Sequence, residues 1–80
     1  MSNGEIKGIV VPVEWDEDGD ILAVSILTDN EDEYAVDHDG KGSEFLDLIN
    51  AEVEVDGYVD IVNGEKRIKI KSYFIKRRWG

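Results

Sequence analysis

An all-β domain of five strands, with one short helix between the third and fourth, is the fold class this sequence predicts. Three observations predict it. Side chains alternate with a period of two over residues 8–15 and 51–62, and residues 21–28 are mainly β-branched and aliphatic. Clusters of turn-forming residues separate those runs, and one stretch, residues 43–50, repeats its apolar positions at helical spacing instead.

The first strand is read from Gly8 to Trp15, with Ile9, Val11, Val13 and Trp15 on one face and Val10, Pro12 and Glu14 on the other. Asp16-Glu17-Asp18-Gly19 is a turn, and Ile21–Thr28 is the second strand of a hairpin. A four-residue turn sets Trp15 opposite Asp20, Val13 opposite Leu22, Val11 opposite Val24 and Ile9 opposite Ile26, which gathers the bulkiest side chains on the inner face. Pro12 cannot donate to a ladder and is expected at a bulge or an unpaired edge. After the turn Asp29-Asn30-Glu31-Asp32, a short strand from Glu33 to Asp37 turns Tyr34 and Val36 inward.

Asp39-Gly40-Lys41-Gly42 breaks the chain, Ser43 is the expected helix N-cap, and Glu44 occupies the first turn, where the helix dipole favours an acid. Phe45, Leu48 and Ile49 form the apolar side of a helix of about two turns, stable only if that side plugs a core. From Ala51 to Val62 the alternation returns, with Val53, Val55, Gly57, Val59 and Ile61 inward. Asn63-Gly64 then signals a two-residue hairpin turn. Counting outward from it pairs Val59 with Ile68, Gly57 with Ile70, Val55 with Ser72 and Val53 with Phe74 inside. Outside it pairs Asp60 with Arg67, Tyr58 with Lys69, Asp56 with Lys71 and Glu54 with Tyr73.

Three meandering strands, a short helix and a final hairpin resemble the OB-fold, a five-stranded Greek-key barrel whose helix between strands three and four closes one end. The resemblance rests on the order and length of the elements, with Gly8 and Gly57 as sites for the sharp bends of a small barrel. An SH3-like barrel is the competing arrangement, but it has no place for residues 43–50. One domain is expected over residues 1–80, its core running from about 5 to 76.

The chain has 80 residues, 41% hydrophobic and 35% charged, with no cysteine and a formal net charge of −10. That is too apolar for disorder and too interrupted by charge for a membrane span, and it excludes disulfides and thiolate chemistry. Met1-Ser2-Asn3-Gly4-Glu5 begins neither a secretory nor a transit peptide, so a cytoplasmic protein is expected. All 19 acidic residues lie at or before Glu65, accompanied only by Lys7 and Lys41. The other bases, Lys66, Arg67, Lys69, Lys71, Lys76, Arg77 and Arg78, follow.

Catalysis finds no support. His38 is the single histidine, and Ser43 beside His38 and Asp39 is better explained as a cap than as a triad member. Gly40-Lys41-Gly42-Ser43 lacks the first glycine and the long helix of a phosphate loop. Asp16, Asp18 and Asp20 invite a calcium reading, but Ile21 and Leu27 stand where an EF-hand loop needs glycine and glutamate. No metal and no cofactor are expected.

The favoured reading is a non-catalytic binding module that meets a protein partner, or a second copy, through the outer face of strands one to three. That face is expected to show Val10, Pro12, Ala23, Ser25 and Leu27. The alternative is a single-stranded nucleic-acid binder using Tyr58, Lys69, Lys71, Tyr73, Lys76, Arg77, Arg78 and Trp79. Net acidity and the acids opposite the basic stripe disfavour it.

Overall fold

The computed structural model describes residues 2–78, with Ser2 described by its backbone alone. The strands are β1 (Ser2–Trp15), β2 (Ile21–Thr28), β3 (Glu33–Val36), β4 (Glu52–Val62) and β5 (Glu65–Arg77), with a 3-10 helix at Gly40–Asp47. They close in the order β1-β2-β3-β5-β4, all neighbours antiparallel except β3 and β5. This is the five-stranded OB-like barrel that the element order predicts. No helix among the described residues is long and apolar enough to cross a membrane.

β1 begins at Ser2, earlier than its apolar alternation suggests, because its first half has work of its own. Ser2–Ile9 pairs with β4, and Gly8–Trp15 pairs with β2. The strand thus passes from one side of the barrel to the other at Gly8, where a Cβ would lie 2.3 Å from the Leu27 carbonyl oxygen. A Cβ on Gly57 would lie 2.2 Å from the carbonyl oxygen of Lys69. Both expected bend positions are places where another strand's backbone leaves no room for a side chain.

The first hairpin is paired one residue away from the expected register. Ile9 faces Leu27, Val10 faces Ile26 and Trp15 faces Ile21. The physical cause is the loop: the Asp16 N–H donates to the Asp20 carbonyl at 2.9 Å, so Asp20 belongs to the turn and the connection is one residue longer. Val13 and Leu22 are then the unpaired residues of two opposed irregularities, which cancel and keep the shift at one. A slip of one exchanges the faces of β1. Val10 is therefore fully buried in the core, while Ile9, Val13 and Trp15 are exposed.

The second hairpin turns at Asn63-Gly64, whose φ angles of 53° and 81° suit a type I′ turn. Its expected register holds for Asp60–Arg67, Val59–Ile68, Tyr58–Lys69 and Gly57–Ile70. Beyond Gly57 a bulge leaves Lys71 unpaired, so Asp56 faces Ser72, Val55 faces Tyr73, Glu54 faces Phe74 and Val53 faces Ile75. The expected pairings of Val53 with Phe74 and Asp56 with Lys71 are thereby corrected. β5 must bend to follow the closing barrel, and the extra residue supplies that bend.

The helix is a 3-10 helix over Gly40–Asp47, earlier than the expected residues 43–50. Asp39 precedes it, and Ser43, expected as the cap, lies within it and donates its hydroxyl to the Gly40 carbonyl at 3.1 Å. Three residues per turn stack Phe45 over Leu48, and hydrogen bonds from Leu48 N–H to Phe45 and from Ala51 N–H to Leu48 continue that spacing. Phe45 has no exposed surface and joins Val10, Val24, Ile26, Val36, Val53, Val55, Ile68 and Ile70 in the core. β3 ends at Val36, one residue early, with Val36 buried and Tyr34 half-buried, both turned inward as expected.

Candidate interaction surface

The outer face of β1 and β2 follows from the corrected register. Ile9 and Leu27 stand directly opposite each other, 38% and 40% exposed, and Val11 stands opposite Ser25. Of the side chains expected on this face, Leu27 is exposed, Ala23 and Pro12 are half-buried, Ser25 is 1% exposed and Val10 points into the core. Ser25 is closed over locally, its hydroxyl donating to Glu33 Oε2 at 3.2 Å.

β1 loses β4 as a partner at Ile9, and the Val10 backbone bonds instead to Ala51 and Asn50 at 3.0 and 2.8 Å. From Pro12 to Trp15 the strand pairs with β2 alone, so hairpin β1–β2 runs on as a two-stranded ribbon. Backbone groups alternate sides along a strand, so Pro12, two residues after Val10, turns its missing N–H toward the unpaired edge. The edge is blunted against another strand. Side-chain contacts, not strand addition, are what this ribbon offers: Val13, Trp15 and Leu22 are 42%, 54% and 45% exposed. These three residues sequence reasoning missed. Both alternating sets of β1 are apolar, and only the length of the acidic loop distinguishes them.

Charge on the hairpin has one sign. Between Gly8 and Thr28 the sequence holds no lysine, arginine or histidine, while Glu14, Asp16, Glu17, Asp18 and Asp20 cluster at its tip. Ligand oxygens of Asp16, Asp18 and Asp20 lie within 4.8 Å of one another, the single cluster of three metal-ligating residue types among the described residues. Asp16 Oδ1 accepts the N–H groups of Asp18 and Asp20, both at 2.9 Å, so this carboxylate braces the turn. In the next acidic loop the Asp37 carboxylate likewise accepts the Asp39 N–H at 3.1 Å.

The residues of the nucleic-acid alternative are dispersed by the fold. The bulge turns Tyr73 toward the helix, where its ring meets Phe45 edge to face at 4.6 Å and its hydroxyl donates to Glu44 Oε1 at 2.8 Å. That hydrogen bond holds the Tyr73 hydroxyl above its usual pKa, and the ring is unavailable for stacking. Lys76 lies 4.0 Å from Glu54, and Arg78 donates to the Asp47 carbonyl at 3.3 Å. Tyr58 and Lys69 stand opposite each other, Lys71 is exposed at the bulge, Arg77 lies at the end of β5, and Trp79 lies outside the described residues. On the other side of β4, Lys7 reaches Glu54 at 3.1 Å, and this hydrogen bond raises the Lys7 pKa.

No family model matches the chain, and comparison with curated proteins and with solved structures finds no match.

Proposed function

We propose that the protein is a non-catalytic module that binds another protein through the outer face of hairpin β1–β2. The observation that carries this reading is the exposure of Ile9, Val13, Trp15, Leu22 and Leu27 on one hairpin whose mutually paired span, Gly8–Thr28, bears no base. Scattered exposed apolar side chains need no explanation, but several on one element, with a tryptophan among them, have the composition of an interface core. The acidic tip supplies a rim, and its complement is a partner whose contact surface is basic at the edge. A second copy docking through the same patch is disfavoured, because a two-fold contact would set acidic rim against acidic rim.

The test compares immobilised wild-type protein with a Val13→Ser/Trp15→Ser variant in extract of the native cell, each bound protein being identified. Basic proteins retained by the wild type and lost by the variant are expected. An identical set on both columns removes the hairpin from the account. Sedimentation of the purified chain covers self-association, where a monomer is expected.

A further inference from the structure

A groove on the outer surface of β1, β4 and β5 shares no residue with the β1–β2 patch. Its rim carries Glu5, Glu54 and Asp56, and its wall includes Val55 and Phe74. We propose that this groove receives the side chain of a lysine or arginine from a protein partner. The volume is about 210 Å³, below the roughly 300 Å³ at which pockets for drug-sized molecules begin, and so suited to one side chain.

Three observations on the sheet point to a cation. Glu5 and Asp56 are register partners on adjacent strands, and two like charges set directly opposite are unfavourable unless something neutralises them. Neither makes an ion pair among the described residues, although Lys7 lies near enough to Glu5 to feel its charge. The bulge after Gly57 sharpens the imbalance: without it Asp56 would face Lys71, and with it Asp56 faces Ser72. The same extra residue turns Phe74 to the outside, 62% exposed, beside those carboxylates. An aromatic face flanked by carboxylates is the arrangement that attracts an ammonium or guanidinium group. The rim already gathers such groups from the chain itself, since Lys7 and Lys76 converge on Glu54 at 3.1 and 4.0 Å. Bulges are local devices that re-aim side chains, and this one exposes a ring and frees a carboxylate at the same place.

The experiment titrates the isotope-labelled full chain with an end-blocked tetralysine peptide, following backbone amide shifts, with tetraglutamate as the control. Saturating shifts at Glu5, Asp56 and residues 72–74 are expected with tetralysine alone. Phe74→Ala should weaken the binding by roughly two- to fivefold, the worth of one exposed cation–ring contact. Glu5→Gln with Asp56→Asn should abolish the saturable component and leave the fold intact, read from the undisturbed amide spectrum. Shifts centred on Asp16–Asp20, no saturable shift, or equal affinity in Phe74→Ala overturns the proposal. Because none of Ile9, Val13, Trp15, Leu22 and Leu27 lines the groove, loss of the partner-binding face by Trp15 or Leu27 substitution leaves this titration unchanged.

Discussion

Replacing Phe45 by alanine tests whether the 3-10 helix is the plug of the barrel. Phe45 has no exposed surface, and its ring meets Tyr73 edge to face at 4.6 Å. Truncating a buried phenylalanine costs about 3–5 kcal/mol, because both the transfer of the ring and the cavity left behind count against folding. A domain of this length has a total stability of roughly 4–12 kcal/mol, so Phe45→Ala should leave it barely folded. At about 4–8 °C per kcal/mol for small domains, a loss of about 4 kcal/mol lowers the thermal midpoint by roughly 15–30 °C. Phe45→Leu keeps most of the apolar volume and gives up mainly the ring contact, worth about 1 kcal/mol. Urea melts of the three proteins followed by circular dichroism separate these values, the slope m staying constant. If Phe45→Ala lies within about 1 kcal/mol of Phe45→Leu, the barrel closes without its helix and the packing argument is wrong.

Gly57→Ala would set a Cβ 2.2 Å from the Lys69 carbonyl oxygen. Spreading β4 from β5 should outweigh the smaller entropy of the unfolded chain and cost about 1–2 kcal/mol in a denaturant melt; an equally stable variant would remove the close approach from the argument. Tyr73 is held above its ordinary pKa of 10.0 by donating to Glu44, so its contribution to stability is complete below about pH 10 and disappears as pH rises through the folded value. The alkaline fall in melting temperature should therefore be shallower in Tyr73→Phe, and an unchanged fall would show that this hydroxyl is not the group responsible. Oligonucleotide binding at physiological salt should be weaker than about 100 μM, since the cations of β5 are dispersed or paired; fluorescence anisotropy giving micromolar affinity would restore the nucleic-acid reading.

How far the fold was legible depended on whether local and distant signals agreed. Asn63-Gly64 set its hairpin because backbone geometry, charge and alternation all pointed to one register, and that register holds as far as Gly57–Ile70. It fails at Lys71 because one unpaired residue is demanded by barrel closure, a tertiary requirement absent from local pattern. The boundaries of β2, Ile21–Thr28, were legible, but the face of β1 was not. Bulk argued for Ile9 and Trp15 inside, whereas the turn closed by the Asp16–Asp20 hydrogen bond shifts the register by one and turns Val10 inward instead. Of the expected contact residues Leu27 remains exposed; Ile9, Val13 and Trp15 are exposed because Asp20 belongs to the turn and shifts β1 by one, and Leu22 is exposed as the unpaired residue of β2. Ser43 misled for a related reason: it has the chemistry of a cap, but Phe45 and Leu48 stack at three-residue spacing in a helix that begins at Gly40.

The measurement that bears most directly on the proposed binding face is Leu27→Asp, with a thermal melt beside partner capture. Leu27 stands on the outer face opposite Ile9 and is 40% exposed, so the aspartate side chain meets solvent in the free protein and a desolvated apolar surface in the complex. The account predicts a midpoint within a few degrees of the wild type, corresponding to about 0.5 kcal/mol or less, together with loss of the captured partner. Unfolding of Leu27→Asp would place Leu27 in the core and return the hairpin to the other register. A folded variant that still binds the same partner would contradict the proposed face itself.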